Sequence, residues 1–396
     1  MKQIYLDNAA TTQVDPQVVK AILPYFTNYY GNASEPHSWG VKANEAIEQS
    51  REKIANFLGA DKSEIIFTSC STESINLAHK GLLEGLECRV RYPHIITTKI
   101  EHKAVLNACE HLKKYGKIAV TYLSVDKDGL VDIKKLKKAI RPNTALVSIM
   151  YVNNEIGTIE PIREIGEMLR EYNQKHNTHI YFHTDATQAI QYLKCNVDCL
   201  GVDLLSFTGH KIHAPKGVGV LYVRRDTPLT RQQDGGGQEF GLRSGTENVP
   251  YIVGIGKAIE LIQKSGTFDH RSAMYKHMVS LRNELIKRVL KISDVQLTGH
   301  ISNRIPHIAS FVFKGIKGED IVMALSEKGI ACATGSACNS DNLEPSHVLK
   351  AIGLDDEWAI GSVRFSLSKY TKIEDISLAI KELEKVVNQL RGVTYE

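Results

Sequence analysis

Short runs of apolar, β-branched residues alternate with longer amphipathic segments along the first two thirds of the chain. Strand-length runs occur at Ile65–Thr68, His94–Thr98 and Ala119–Leu123. The segments between such runs have ten or more residues, with apolar positions spaced as on one face of a helix. This alternation is typical of βαβ units. The chain is therefore predicted to form a mainly parallel sheet with helices on both faces.

Helix-capping residues indicate where several helices begin and end. Asp15 followed by Pro16 is typical of an N-cap with proline in the first turn, and predicts a helix that ends at Gly31. A longer helix is predicted over Ser38–Leu58, because Gly59 follows its last apolar position.

The pattern changes after about residue 248, where two long helices are predicted over residues 249–264 and 268–291. Shorter strands and helices continue from there to the end of the chain. Because 396 residues exceed the usual size of one compact core, two domains are expected. We predict a large α/β domain over residues 15–257 and a smaller α+β domain formed by residues 1–14 and 258–396.

Composition narrows the class of protein without indicating an activity. The chain is 42% hydrophobic and 24% charged, and its net charge of +4 comes without a basic block interleaved with aromatic residues. Nucleic-acid binding therefore has no support in the sequence. No apolar run has the length of a membrane span, and no signal peptide precedes the first strand-like residues, so a cytoplasmic location is predicted. Seven cysteines fit a reducing compartment better than a disulfide framework.

One stretch, residues 203–223, contains a lysine directly after a buried strand. An apolar run leads into Thr208, His210 and Lys211, and a second β-branched run follows a Pro-Lys-Gly turn that contains Lys216. A lysine in this position, beside a hydroxyl and an imidazole, is a candidate for a desolvated amine that forms a Schiff base with a carbonyl compound such as pyridoxal phosphate. Taken alone, the stretch also fits a solvated loop lysine in a surface hairpin.

Polar clusters follow four other predicted strands. They occupy residues 69–73, 101–102, 153–155 and 185–188. Since ligands bind beyond the carboxyl ends of parallel strands, these clusters and residues 208–211 are expected to converge on one cleft. Ser71 and Thr72 precede a helix predicted to start at Glu73, where free N–H groups suit a phosphate, although an ordinary helix cap has the same composition.

The residue types in these clusters match the needs of pyridoxal phosphate chemistry. Such chemistry requires a lysine, an acid that keeps the pyridine nitrogen protonated, a flat group over the ring and donors for the phosphate. Lys211, Asp185 and His102 supply the first three types. The helix start at Ser71 and Thr72 supplies the fourth.

Longer motifs add a family resemblance that extends over nearly the whole chain. They are YLDNAATT at residues 5–12, KIEHKAVL at 99–106, VNNEIG at 152–157, DATQ at 185–188, GHK at 209–211, GGGQE at 235–239, RSGTEN at 243–248, GSAC at 335–338 and LEPSHVL at 343–349. In this order and spacing the chain resembles the cysteine desulfurases of the NifS/IscS group, in the class-V aminotransferase family. The resemblance implies a fold-type I pyridoxal phosphate-dependent transferase with a mainly parallel large domain and a smaller α+β domain, working as a homodimer.

The resemblance also implies a role for each matching residue. Catalytic roles fall to Cys338, which takes sulfur from the substrate, to Lys211, which binds the cofactor covalently and moves protons, and to His102, which stacks on the cofactor ring. The residues implied to contact the cofactor are Ser71, Thr72, Asn154, Asp185, Gln188, Thr208, His210, Lys211 and Thr246, the last reaching the phosphate of the partner subunit. Substrate contacts are implied for Arg364, as the carboxylate clamp, and for Asn32 near the mouth of the site. No metal is implied.

Some positions depart from the family pattern. Cys70 stands where glycine is usual before the phosphate-binding pair, and Thr208 stands where serine is common. Residues 32–36 replace a turn that usually contains Asn-Pro near the site mouth. Among the other cysteines, Cys332 fits a core position, and the Cys195/Cys199 spacing lacks a second ligand pair for zinc.

The activity implied is the conversion of L-cysteine to L-alanine with a persulfide left on Cys338. The sulfur would go to an acceptor protein for iron–sulfur cluster assembly or for tRNA or cofactor thiolation. Selenocysteine lyase activity needs the same parts and stays an alternative. Aminotransferase activity is less favoured, because it gives no role to Cys338, which lies in a segment rich in Gly, Ser and Asn. A sulfur-delivery hub that acts mainly by docking partners is the alternative from a different class.

Overall fold

The computed structural model describes residues 2–86, 91–335 and 345–392. The strands are β1 Ile4–Tyr5, β2 Ile65–Thr68, β3 His94–Thr98, β4 Ala119–Leu123, β5 Thr144–Ser148, β6 Tyr181–Asp185, β7 Leu204–Thr208, β8 Gly219–Val223, β9 Val295–Leu297, β10 Ile308–Phe313, β11 Ile330–Ala331 and β12 Ser362–Ser366. The helices are α1 Pro16–Ile22, α2 Pro24–Thr27, α3 Ser38–Leu58, α4 Ser71–Asn76, α5 Leu82–Gly85, α6 Lys103–Lys114, α7 Ile133–Ala139, α8 Ile162–His176, α9 Val197–Leu200, α10 Val249–Ser265, α11 Ala273–Val289, α12 Gly318–Glu327, α13 His347–Ala351, α14 Asp356–Ala359 and α15 Ile373–Leu390.

A seven-stranded sheet with the order β2-β8-β7-β6-β5-β3-β4 forms the centre of the fold. The neighbours from β7 to β4 are parallel, whereas β8 is antiparallel to both β7 and β2. Every residue of β3, β5, β6 and β7 is buried, as expected when helices cover both faces. The prediction of a mainly parallel α/β sheet is confirmed, and β8 is the one strand among these seven that reverses direction.

The reversal of β8 brings its first residue close to the start of α4. Gly219 pairs with Thr208 on β7 and with Thr68 on β2. A Cβ built on Gly219 would lie 2.6 Å from the carbonyl carbon of Cys70 and 2.8 Å from its Cα. Only a residue without a side chain allows this backbone approach. The close approach fixes Cys70, and with it the start of α4, at the carboxyl end of the central strands.

The helix predicted from Asp15 to Gly31 is wrong in its continuity. Asp15 caps α1 as predicted, since its side chain accepts a hydrogen bond from Gln17 N at 2.8 Å. The chain then divides at Leu23 into α1 and α2, because Pro24 has no N–H to donate to the preceding turn. The helix predicted from residue 38 is confirmed, and ends at Gly59, whose φ of 71° is left-handed.

The second long helix predicted after residue 248 begins five residues late. It was expected from residue 268, but α11 starts at Ala273, where the Ser272 hydroxyl accepts from Tyr275 N at 3.1 Å. The intervening residues form two tight turns, with hydrogen bonds from Asp269 N to Gly266 O and from Ser272 N to Asp269 O. Sequence periodicity does not distinguish such turns from the first turn of a helix.

Replacing Ser272 with alanine removes the N-cap of α11. We expect Ser272→Ala to lower the free energy of unfolding by about 1 kcal/mol, because the Tyr275 N–H loses its acceptor. Ser280→Ala on the exposed face of the same helix is the control, and should not be destabilising because alanine is the better helix former. Urea denaturation measures both. Equal stability of Ser272→Ala and the unchanged protein would contradict the capping role.

Two smaller sheets complete the fold. One is antiparallel with the order β12-β10-β9, and the other is the parallel pair β1 and β11. The N-terminal segment joins both, since Leu6 N donates to Ala331 O and Asn8 N donates to Ser366 O. This arrangement leads residues 9 and 10 toward the carboxyl ends of the central strands. The predicted division into residues 15–257 and the remainder stays a prediction.

Among the residues that the structure describes, no helix combines the length and apolar character needed to cross a bilayer.

Candidate active site

A cavity of about 600 Å³ lies at the carboxyl ends of the central strands. It collects residues from all five polar clusters of the sequence and from β12. The residues with a predicted cofactor or substrate contact that line it are Ser71, Thr72, His102, Asn154, Asp185, Gln188, Thr208, His210, Lys211 and Arg364. The convergence of the strand-end clusters on one cleft is therefore present in the structure.

Lys211 lies in the single turn Gly209–Lys211 that directly follows β7. Its Nζ donates to two backbone carbonyls of the N-terminal segment, Ala9 O at 2.7 Å and Ala10 O at 2.5 Å. Lys216, in the next turn, is exposed and does not line the cavity. The strand end and the N-terminal segment together direct the Lys211 amine into the cavity.

Asp185 is the last residue of β6 and is 6% exposed. Its Oδ1 accepts a hydrogen bond from Thr187 N at 2.9 Å, and no donor among the described residues bonds Oδ2. A buried carboxylate with one open oxygen is suited to accept a hydrogen bond from a protonated ring nitrogen. The protonated pyridine nitrogen of pyridoxal phosphate is a donor of this kind, so Asp185 fits this cofactor.

His102 is the N-cap of α6 and lies beside Asp185 in the cavity lining. Its Nδ1 accepts from Ala104 N at 3.1 Å, so the ring proton of the neutral imidazole is on Nε2. Burial lowers the pKa of His102; Asp185 opposes this shift and Lys211 adds to it. The ring is therefore a neutral, flat group at physiological pH.

Glu101, directly before His102, anchors the turn between β3 and α6. The Glu101 carboxyl is 1% exposed and accepts from Thr98 Oγ1 at 2.8 Å and from Met150 N at 3.0 Å. Burial raises the pKa of Glu101 to about 8. Because Met150 follows β5, the carboxyl links the ends of two neighbouring strands and fixes the backbone that carries His102.

A group of donors suited to a phosphate lies where α4 begins. This helix starts at Ser71, two residues earlier than predicted, so Ser71 and Thr72 are its first residues rather than a preceding turn. Ser71 Oγ lies 2.8 Å from Thr187 Oγ1. Ser71 and Thr72 line the cavity, and the N–H groups of the first turn of a helix have no partner within the helix. Free N–H groups beside two hydroxyls suit a phosphate.

His210 contacts the N-terminal segment. Its Nδ1 lies 3.2 Å from Thr11 Oγ1. Burial, together with the charges of Lys211 and Lys216, lowers the pKa of His210 to about 4. Thr208 Oγ1 donates to Val218 O at 3.0 Å, which leaves its oxygen lone pairs available as acceptors.

Gln188 connects the cavity to the N-terminal segment. Its Nε2 donates to Ala9 O at 2.9 Å, and its Oε1 lies 3.1 Å from His307 Nε2. Ala9 O therefore receives hydrogen bonds from both Gln188 and Lys211. No local signal in the sequence pointed to this carbonyl, because its partners are about two hundred positions away.

Arg364, in the middle of β12, is 6% exposed and is oriented by two acceptors. Its NH2 donates to Asp7 Oδ1 at 2.9 Å and its NH1 donates to Asn154 O at 2.8 Å. Its Nε has no hydrogen-bond partner among the described residues. A guanidinium held in this way presents a planar set of donors to a carboxylate. Asp7 belongs to the YLDNAATT motif but was not singled out from the sequence.

Two of the predicted site residues with described positions do not line the cavity. Asn32 and Thr246 are exposed, and the Asn32 side chain accepts from Ser34 N at 3.0 Å. Cys338 lies outside the described residues. Gly335, just before its segment, does line the cavity.

Sequence reasoning overlooked three further residues in the cavity wall. Glu155 and Ser346 share a buried hydrogen bond, and His347 Nε2 lies 3.0 Å from Glu101 O. Glu155 was part of a motif, so its position in VNNEIG was the available signal. Cys332, expected in the core, is buried, and burial raises its pKa to about 12.

The comparisons with known proteins agree with this geometry. The chain matches the class-V aminotransferase family over residues 4–378. It is 46% identical to the cysteine desulfurase IscS of Dictyoglomus turgidum, with 99% of this chain and 96% of the relative covered. It is 42% identical to the human cysteine desulfurase, with 100% of this chain and 84% of the relative covered.

Solved structures give the same result. A NifS-like protein superposes with a TM-score of 0.90 at 38% identity, covering 98% of this chain and 100% of the other. A structure of SspA in complex with cysteine gives a TM-score of 0.80 at 38% identity, covering 94% and 100%. The fold-type I assignment is thereby confirmed, and pyridoxal phosphate is the cofactor of this family. The chain belongs to the class-V aminotransferase family and, within it, to the cysteine desulfurases.

Proposed function

We propose that the protein is a pyridoxal phosphate-dependent cysteine desulfurase that converts L-cysteine to L-alanine and leaves the sulfur as a persulfide on Cys338. One observation carries the proposal. Gly335 and Pro345, which flank the segment containing Cys338, line the same cavity as Lys211 and Arg364. The segment that contains Cys338 therefore begins and ends at the cavity that contains the lysine and the carboxylate clamp.

The residues of the cavity would hold the cofactor at three places. Asp185 would accept a hydrogen bond from the ring nitrogen, His102 would stack on the ring, and Ser71 and Thr72 in the first turn of α4 would bind the phosphate. When bound, pyridoxal phosphate supplies an electron sink for a bond broken at the substrate Cα. Asn154, Gln188, Thr208 and His210 contribute further polar contacts around it.

The protein's own groups move the protons and the sulfur. Arg364 pairs with the substrate carboxylate, and the Lys211 amine takes and returns a proton at the substrate carbons. The Cys338 thiolate attacks the substrate sulfur and the Cβ–S bond breaks, so the sulfur stays on Cys338 and Cβ gains a proton in alanine. The neutral His102 ring, with its proton on Nε2, is placed to help transfer protons near the substrate thiol.

Homodimer formation is part of the proposal. Tyr30 and Trp39 are exposed with ring centroids 5.0 Å apart, and Phe240 is exposed as well. Exposed aromatic side chains are typical of interaction surfaces. Residues 33, 34, 240 and 247 line a common depression. The exposed Thr246 would then reach the phosphate bound by the partner subunit, and Asn32 would lie near the shared mouth.

The persulfide would pass to an acceptor protein, such as an iron–sulfur scaffold or a tRNA-thiolation enzyme. A cytoplasmic location suits this role, because a reducing compartment keeps the Cys338 thiol free. Incubation of the protein with pyridoxal phosphate, L-cysteine and a reductant tests the activity by the amounts of alanine and sulfide formed. Mass spectrometry then locates the persulfide. Faster turnover of selenocysteine than of cysteine would favour the lyase, and tight acceptor binding without a persulfide would favour the docking hub.

Replacing the guanidinium of the clamp tests substrate recognition. We expect Arg364→Lys to raise the KM for L-cysteine about thirtyfold, because an ammonium group cannot form the bidentate pair and charged hydrogen bonds contribute about 2 kcal/mol. Arg282→Lys is the control, since Arg282 is equally buried but bonds the carbonyls of Arg304 and Ile305 outside the cavity. Steady-state kinetics measures both variants. An unchanged KM in Arg364→Lys would exclude Arg364 as the carboxylate clamp.

A further inference from the structure

The Glu155 carboxyl lies where two distant parts of the chain meet beside the cavity. Glu155 is 8% exposed, and its Oε2 accepts a hydrogen bond from the Ser346 hydroxyl. A Cβ built on Gly335 would lie 3.2 Å from the same Oε2 and 3.5 Å from the Ser346 Cβ. Gly335 and Ser346 therefore adjoin one carboxylate oxygen from two sides, although residues 336–345 separate them in the chain.

The segment that contains Cys338 has two flanks, one ending at Gly335 and the other beginning at Ser346. The first flank is hydrogen-bonded to β12, the strand that contains Arg364. Ala333 N donates to Arg364 O at 3.1 Å, and Arg364 N donates to Ala333 O at 2.7 Å. Two residues further on, a Cβ on Gly335 would lie 2.8 Å from Ser362 Oγ. The Ser362 hydroxyl is buried and has no hydrogen-bond partner among the described residues. The backbone at Gly335 is thus packed between Ser362 and Glu155, with no room for a side chain.

The flank that begins at Ser346 is attached to the cofactor side of the cavity. Ser346 is the N-cap of α13, since its Oγ accepts from Val348 N at 3.1 Å. The next residue, His347, bonds Glu101 O through Nε2 at 3.0 Å. Glu101 directly precedes His102, so this flank is fixed to the turn that carries the ring-stacking residue.

The Glu155 carboxyl is also connected to the clamp through its neighbour. Asn154 O accepts a hydrogen bond from Arg364 NH1 at 2.8 Å. Two successive residues of one loop therefore contact the Arg364 guanidinium and adjoin both flanks of the Cys338 segment.

The charges around Glu155 favour a strong acceptor. Burial raises the pKa of Glu155 to about 7, while the Ser346 hydrogen bond and the positive charges of Arg364 and Lys103 oppose the shift. An ionised carboxylate accepts a hydroxyl hydrogen bond more strongly than a neutral carboxyl does. The two cations, Arg364 on β12 and Lys103 on α6, favour the ionised form.

We propose that Glu155 is a positioning residue for sulfur transfer, which holds both flanks of the Cys338 segment at a fixed place relative to Arg364 and so sets the reach of the thiol to the substrate sulfur. This inference rests on the proposed function in taking Cys338 as the sulfur acceptor. It adds a residue to which the mechanism above gives no part.

Four variants separate positioning from general structural support. Glu155→Ala removes the acceptor, Ser346→Ala removes the donor and Ser346→Thr keeps a hydroxyl. Ser346→Ala removes both the cap of α13 and the hydrogen bond to Glu155, whereas Glu155→Ala removes only the hydrogen bond between the two residues. The matched control is Glu160→Gln, since Glu160 is a buried carboxyl of the same loop whose Oε2 accepts from Val131 N at 3.0 Å, outside the cavity lining.

In the holoenzyme, we expect persulfide formation at saturating L-cysteine to slow at least tenfold in Glu155→Ala and Ser346→Ala. The dissociation constant for L-cysteine should change less than twofold, and Ser346→Thr and Glu160→Gln should keep at least half of the rate. Rapid-quench mass spectrometry measures the persulfide. A loss confined to cysteine affinity, or equal losses in Ser346→Thr and Ser346→Ala, would overturn the inference.

A second measurement is independent of catalysis. The rate of Cys338 alkylation by iodoacetamide, followed by mass spectrometry in the cofactor-free protein, should change at least threefold in Glu155→Ala but not in Glu160→Gln. Equal alkylation rates in Glu155→Ala, Ser346→Ala and the unchanged protein would exclude the proposed positioning role of Glu155. If Glu155→Ala does not fold, the two Ser346 variants decide. An unchanged protein that forms no persulfide would overturn the proposed function, whereas the alkylation rates would still decide the role of Glu155.

Discussion

The Lys211→Ala variant is expected to form alanine from L-cysteine at least about a thousandfold more slowly than the unchanged protein. General acid–base catalysis alone contributes about 10²–10⁴-fold, and the same amine also holds the cofactor. Lys216, the other lysine between β7 and β8, is exposed and does not line the cavity. Alanine formation under saturating pyridoxal phosphate measures the loss.

Reduction with borohydride supplies a second readout for this variant. Borohydride makes the bond between a lysine amine and the cofactor permanent, so the unchanged protein should retain a pyridoxyl group on the peptide containing Lys211. The Lys211→Ala variant should retain none. The control is Lys216→Ala, in the same connection between β7 and β8, which should keep activity within twofold and the label on Lys211. A label on another lysine in the unchanged protein would show that Lys211 is not the attachment site.

The Cys338→Ala variant is expected to lose at least about 99% of sulfide and alanine formation, because no thiolate remains to take the substrate sulfur. Binding of L-cysteine should persist within threefold, since Arg364 and the cofactor contacts are untouched. Cofactor absorbance during titration measures binding, and chromatography measures alanine.

The control for the thiol is Cys199→Ala, which removes an exposed cysteine outside the cavity lining and should leave turnover within twofold. Cys332 is unsuited as the nucleophile, because burial keeps it protonated with a pKa of about 12. Full sulfide release by Cys338→Ala would require a different sulfur acceptor and would exclude the proposed mechanism.

Local patterns were enough to predict the elements that supply the cofactor site. The bounds of β2, β3 and β4 agree with the prediction to the residue, because each is a short β-branched run between polar turns. Lys211 and Asp185 follow from their places at strand ends. These signals are local, so a single chain suffices to read them.

Tertiary partners could not be read in the same way. Ala9 O accepts a hydrogen bond from Lys211, and Glu155 accepts one from Ser346, 191 positions away. The residues next to each of these positions give no signal that predicts either contact. Short helices such as α9 and α14 were missed because four residues contain too little of a helical period. The break at Pro24 was visible in the sequence, and the prediction of a continuous helix there overlooked it.

The placement of the first residues has a consequence for the order of events during protein synthesis. Ile4 pairs with Ile330, and Ala9 N bonds Ser366 Oγ, so residues 4–9 find these partners only after more than three hundred further residues have been synthesised. Residues 181–223 can form their strands long before then, because their contacts are nearer in sequence. The two carbonyls that orient Lys211 therefore reach it last. A nascent chain that stops before β12 would present a cofactor lysine without its orienting carbonyls and without a clamp for the substrate.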